Sequence, residues 1–133
     1  MERIYTTPRL DKLGVRPGAR VALVGLTDET FEADLRERTA DVTHGEPAPD
    51  TDLVFLAADS HAELEPLMTL RARIRPAGAI WIVSRKGKTA TLRDVEVIAA
   101  ARAAGLVDNK VASFDEDRTA LRLVIPVAMR PRP

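Results

Sequence analysis

A chain of 133 residues, 45% apolar and 30% charged, is sized for one domain with a core of its own. Its 20 basic residues balance 20 acidic ones, which argues against a general polyanion binder. There is no cysteine, which excludes a disulfide framework, a thiolate metal site and a thiol nucleophile.

Residues 1–19 read as a lead-in. The start, Met1-Glu2-Arg3-Ile4-Tyr5, lacks the apolar core of a signal peptide. No apolar run approaches the roughly 18–20 residues that cross a membrane, so the expected location is the cytoplasm. Pro8 to Leu13 suits a short helix with proline in its first turn and Gly14 as its stop. Arg16-Pro17-Gly18 then turns the chain into Arg20-Val21-Ala22-Leu23-Val24-Gly25. Five apolar or small residues without alternation predict a strand covered on both faces. Gly25 ends it, Thr27 or Asp28 can cap the next helix, and that helix is predicted over Glu29 to Arg38. Asp41 to His44 reads as a short edge strand, and Gly45 to Asp50 as a loop.

Asp52 to Ala58 is a second buried strand ending at Asp59. Ser60 with Glu63 fits a capping box, and Leu64, Leu67, Met68 and Ile74 predict one face of a helix over 61–74, with Pro66 in its first turns. Arg75-Pro76-Ala77-Gly78 is expected to turn, and Ala79 to Val83 to form a third buried strand. Ser84 to Lys88 follows as a basic loop. Thr91 is expected to cap a helix to Ala104, with Leu92, Val95, Ile98, Ala99 and Ala103 on its buried side and Gly105 as its stop. Strands over 106–114 and 119–127 flank the turn Asp115-Glu116-Asp117-Arg118, a connection too short for anything but antiparallel pairing. Residues 1–127 are thus expected to form a single α/β domain, followed by a disordered tail over 128–133.

Strand–helix repeats closed by an antiparallel hairpin resemble the class I adenosylmethionine-dependent methyltransferase version of the Rossmann fold. Arg75-Pro76-Ala77-Gly78 before Ala79-Ile80-Trp81-Ile82 is similar to the "proline, glycine, then a strand" passage of those enzymes. Within that superfamily the chain resembles a family of short bacterial proteins of unknown function. The segments that carry the resemblance are Thr7-Pro8, Lys12 to Gly18, Asp52-Leu53-Val54, Pro76 to Trp81, Gly105 to Val111 and Phe114-Asp115-Glu116. It implies a three-layer αβα Rossmann-like fold with a mostly parallel sheet. It also implies the strand order 41–44, 20–25, 52–57, 79–83, 119–127, 106–114, and it implies no activity.

The carboxyl edge of such a sheet is where ligands bind. A dinucleotide or adenosylmethionine pocket needs several glycines after the first strand, for close backbone approach, and an acid ending the second to hold ribose hydroxyls. Here one glycine is followed by Leu26-Thr27-Asp28, and the second strand ends in His44-Gly45. No cofactor is therefore expected. Thr27, Asp28, Asp59, Ser60, His61 and Ser84 should gather at the strand ends. Asp28 and Asp59 are candidates for an acid/base pair, His61 for proton transfer and Ser84 for the same site. Helix starts favour these residue types anyway, so caps and surface are the favoured reading. His44 and His61 lie apart and outside any ligand-spaced cluster, so no metal is expected.

Arg85-Lys86-Gly87-Lys88 with Thr91 is the candidate anion site: cations on a glycine-bearing loop before a helix start. It lacks the spacing of a phosphate-binding Walker loop, and solvated surface is the competing reading. Arg71, Arg73, Arg75, Arg130 and Arg132 add positive charge without an aromatic stacking surface, so nucleic acid is not expected as the main partner. The favoured reading is a non-enzymatic binding or regulatory module whose partner is unknown, another protein or a second copy of the chain being the candidates. The alternative is an enzyme, a divergent methyltransferase included, or a binder of a small anion or nucleotide in the carboxyl-edge crevice.

Overall fold

The computed structural model describes residues 6–131. Helix α1 (Thr6–Lys12) leads into β1 (Val21–Val24), α2 (Glu29–Arg38), β2 (Val42–His44) and β3 (Thr51–Ala57). Then come α3 (Leu67–Arg71), β4 (Ile74–Arg85), α4 (Asp94–Ala103), β5 (Val107–Ser113) and β6 (Arg118–Val124). The six strands form one sheet in the order β2-β1-β3-β4-β6-β5. Strands β1 to β4 are parallel, and β6 runs antiparallel to both β4 and β5. This is the order and the mostly parallel α/β architecture that the sequence reading expects. Among the described residues no helix is long and apolar enough to cross a membrane.

The uninterrupted apolar strands follow from coverage on both faces. On one face Leu23, Phe55, Trp81 and Val83 pack with Leu10 and Leu13 from α1 and its end, and with Phe31 and Leu35 of α2. On the other, Ala22, Val54, Leu56, Ile80, Ile82 and Leu123 pack with Leu67 and Leu70 of α3 and with Val97 and Ala101 of α4. Neighbouring residues of one strand thus enter different cores, so no position over 53–57 of β3 or 79–83 of β4 is left for a polar side chain.

Several local expectations are corrected. The helix expected over 61–74 is broken at Pro66. A proline there has no N–H to donate, and its ring crowds the carbonyl four residues earlier. The chain makes a single 3₁₀ turn at Ala62–Leu64 and restarts as the five-residue α3. Leu70 takes the inward place assigned to Met68, which is 64% exposed, and Ile74 leaves to begin β4. The turn expected at 75–78 is instead the irregular start of β4. Ile74 pairs with Thr51, the register shifts, and pairing resumes at Leu53–Ala79. Gly78 makes this possible: a Cβ there would lie 2.8 Å from the Asp52 carbonyl oxygen.

In α4 the buried side is Val97, Ala101 and Ala104, preceded by Leu92, while Val95 is 62% exposed. Residues 97–101 are apolar all round, so periodicity cannot choose the inward face. The helix also starts later than expected. Its cap is Arg93, whose N–H donates to Glu96 Oε1 (2.9 Å), not Thr91. Of the tail expected over 128–133, residues 132–133 lie outside the described part, and Val127–Met129 form a 3₁₀ turn.

Candidate functional site

Because β6 is antiparallel, its first residues lie at the carboxyl ends of β1, β3 and β4. The hairpin turn 115–118 therefore meets the turn after β1. Between them is an open cleft of about 470 Å³ lined by Gly25, Thr27, Asp59, Arg85, Asp117 and Arg118, among others.

Gly25 turns the chain at the end of β1 with φ +70, a conformation that glycine adopts without strain. Leu26 then points inward and is buried, and Asp28 caps α2, with Oδ1 accepting from the Phe31 N–H (2.9 Å). The other oxygen, Oδ2, pairs with the Arg118 guanidinium. Arg118 also donates to Asp115 Oδ2 from Nε (3.0 Å) and Nη2 (2.6 Å). Asp115 Oδ1 accepts the N–H groups of Asp117 (2.9 Å) and Arg118 (2.8 Å), which closes the hairpin turn on itself.

Burial acts to raise the pKa of Asp28. The Phe31 N–H and the Arg118 guanidinium outweigh it, and the net shift is downward. Asp115 behaves in the same way, burial being overcome by Arg118 and the Asp117 N–H. Both are therefore carboxylates at neutral pH and cannot serve there as proton donors.

Behind this network lies an aromatic group. Phe31 packs against Phe55 and Phe114, with ring centroids 5.1 and 4.7 Å apart. The guanidinium of Arg118 lies 4.8 Å from the Phe114 centroid, and that of Arg9 lies 5.1 Å from the same ring and 5.0 Å from Phe31. Arg9 also donates to the Phe114 carbonyl (3.0 Å) and pairs with the buried Asp34 (3.3 Å).

The expected strand-end residues are only partly brought together. Thr27 and Asp59 line the cleft, and Asp28 stands beside it. Asp59 Oδ1 accepts from the Arg85 N–H (2.8 Å), its carbonyl from Thr91 Oγ1 (2.5 Å), and its own N–H donates to Glu63 (2.8 Å). The expected capping box is only half made: Ser60 Oγ accepts from the Glu63 N–H (3.3 Å) and donates to Glu63 Oε1 (3.1 Å), while the backbone N–H that reaches Glu63 is that of Asp59. Ser84 is buried in β4 opposite Thr119. His61 is exposed and lines a different, apolar groove with Leu64, Met68, Ala99 and Ala103. His44, at the end of β2, pairs with Glu32 of α2 (2.9 Å). Among the described residues no three acidic, histidine or cysteine side chains form a metal-holding group.

In the candidate anion loop, Arg85 lines the cleft, and its Nε lies 4.0 Å from Asp59. Lys86 Nζ donates to Ser113 Oγ (3.0 Å), and Gly87–Thr89 form a 3₁₀ turn containing Lys88. Thr91 turns toward Asp59, and α4 opens with Asp94 and Glu96 in its first turn. Carboxylates thus flank the cations from both sides.

Sequence reasoning missed Arg118, Asp115, Arg9 and Phe114 as members of this edge. One signal was available. An antiparallel strand inside a parallel sheet delivers its hairpin turn to the ligand-binding edge, so Asp115 to Arg118 were due there once the strand order was drawn.

The sequence model of the family described as "Protein of unknown function (DUF3052)" matches residues 10–127. No curated protein matches the chain in sequence. Solved structures of similar fold include an adenosylmethionine-dependent methyltransferase from Aquifex aeolicus, with TM-score 0.66 and 15% identity over 91% of this chain and 90% of that one. Another is a precorrin-6y C5,15-methyltransferase from Geobacter metallireducens GS-15, with TM-score 0.65 and 12% identity over 94% and 89%. The pyocyanin biosynthetic protein PhzM has TM-score 0.67 and 11% identity over 86% of this chain, which spans only 52% of PhzM. At such identities the likeness is one of fold.

Proposed function

The chain belongs to the family described as Protein of unknown function (DUF3052), and from that premise we propose a non-enzymatic binding or regulatory module on a methyltransferase-like fold. It acts in the cytoplasm on a protein partner or a second copy of itself. One observation carries the reading: the carboxylate after β1, Asp28, is engaged by the start of α2 and by Arg118 of the hairpin. The turn that a cofactor-binding relative keeps open for bare backbone amides is here held against the β5–β6 turn by an ion pair. The single glycine and the inward Leu26 support the same reading.

The second reading is an enzyme or a binder of a small anion or nucleotide, a divergent methyltransferase included. The open cleft with Arg85 and Arg118 in its wall favours it. Calorimetric titration of the full chain with adenosylmethionine separates the two. We expect no binding in the micromolar range. A micromolar dissociation constant would establish the second reading in place of the first. A thermal-shift screen against nucleotides and simple phosphates extends the test, since a ligand that binds only the native state raises its melting temperature.

A further inference from the structure

The opposite, amino edge of the sheet carries a second cleft, of about 510 Å³. Its wall includes Gly14, Arg16 and Gly18 of the α1–β1 connection, Asp52 of β3, Arg75 of β4 and Arg122 of β6. Arg122 stands directly opposite Trp81 in the antiparallel pair, so its side chain leaves the sheet on the α1 face, beneath that connection.

The cleft is unbalanced in charge. Among the described residues Asp52 is the one carboxylate in its wall, and both oxygens are taken, Oδ1 by Arg75 Nε and Oδ2 by the Arg20 N–H (2.8 Å). Arg122 is half-buried, and its hydrogen bond goes to a neutral amide, Asn109 Oδ1 (3.3 Å). Burial and then the nearby Arg130 both lower its pKa, yet a guanidinium stays charged in a protein. Among the described residues no carboxylate pairs with Arg122; a half-buried cation without a counter-ion is costly, and a bound anion offsets that cost. There is room for one: a Cβ built at Gly14 or Gly18 meets nothing within 4 Å.

We infer that this amino-edge cleft is an oxyanion site, taking a small phosphate- or carboxylate-bearing molecule among Arg16, Arg75 and Arg122. The planar fork of a guanidinium matches the paired oxygens of either group. The site lies away from the carboxyl-edge cleft and stands whether or not that cleft binds anything.

The test is amide NMR on the full chain, titrated with pyrophosphate and, separately, with succinate at constant ionic strength. We expect saturable shifts at residues 14–16, 18–19, 52–53, 75, 77 and 122. The apparent Kd should rise at least about tenfold in Arg122→Gln and in Arg16→Gln, the loss of a charge-assisted bidentate contact. Arg16 sits on an exposed connection, so its variant separates loss of the site from loss of the fold. The triple variant Arg85→Ala/Lys86→Ala/Lys88→Ala should bind like wild type. The tighter of the two probes identifies phosphate or carboxylate as the recognised group. Absence of saturable shifts with both probes, shifts unchanged in both glutamine variants, or shifts confined to residues 84–92 would overturn the assignment. The last outcome would place the anion at the carboxyl-edge loop instead.

Discussion

Replacing Trp81 with alanine is expected to destabilise the protein by about 3–5 kcal/mol, the range for large aromatic deletions in cores. Trp81 is 0% exposed, in the middle of β4, level with Phe55 of β3 and Arg122 of β6. It fills the α1 face of the core together with Leu10 and Leu13. Its indole Nε1–H donates to the Leu13 carbonyl (3.0 Å), so it also fastens the end of α1 to the sheet. The substitution opens a cavity and removes that donor at once. For a domain of this size the loss corresponds to a melting temperature lower by about 10–20 °C. Thermal and urea unfolding followed by circular dichroism will measure it. Trp81→Phe keeps much of the bulk but loses the N–H and part of the ring, and about 1–3 kcal/mol is expected. An alanine variant that melts within a degree or two of wild type would contradict the placement of Trp81 in the core.

Arg118→Ala is expected to cost about 2–3 kcal/mol at neutral pH, between the values for exposed and fully buried ion pairs. The side chain is 25% exposed and serves two carboxylates at once, Asp28 (18%) and Asp115 (30%). It also covers the Phe114 ring. Its removal leaves two carboxylates facing each other without the cation between them and frees the hairpin turn from the start of α2.

The effect carries a pH signature. Asp28 and Asp115 have folded-state pKa values below their ordinary ones. Such groups stabilise the fold above the unfolded pKa, about 3.9 for aspartate, and that contribution is lost as pH falls through the lowered folded value. The gap between wild type and Arg118→Ala should therefore be full at pH 7 and shrink toward pH 2–3. Urea unfolding at the two ends of that window checks it. An equal loss at both would assign the role of Arg118 to its packing on Phe114 rather than to its charge. Arg118→Lys keeps the charge without the fork and is expected to recover only part of the stability.

Much of the candidate site was legible as position and little of it as chemistry. Asp28 is visible in the sequence as a helix cap and Asp59 as the residue that ends a buried strand, and both are at that edge. What their carboxylates touch was not visible. Arg118 is 90 residues from Asp28, and no local pattern links them. The three arginines of the amino-edge cleft come from a loop and two strands far apart in the chain, so they never appear together as a motif.

The sequence by itself determined the layered α/β fold. Strands buried on both faces must be apolar at every position, and the runs at 21–24, 53–57 and 79–83 declare themselves without reference to anything else in the chain. It also determined the hairpin, because a turn as short as Asp115 to Arg118 permits only antiparallel pairing. Only the tertiary structure decided where helix 61–74 breaks, which face of α4 is inward, and which charges meet. Pro66 leaves the chain two ways to proceed, and packing of Leu64, Leu67 and Leu70 on the sheet selects the interrupted one. An alanine-rich helix has no single apolar stripe, so its facing is set by the surface it covers. Ion pairs across a sheet edge depend on strand order and direction. That is a property of the assembled sheet and of no segment within it.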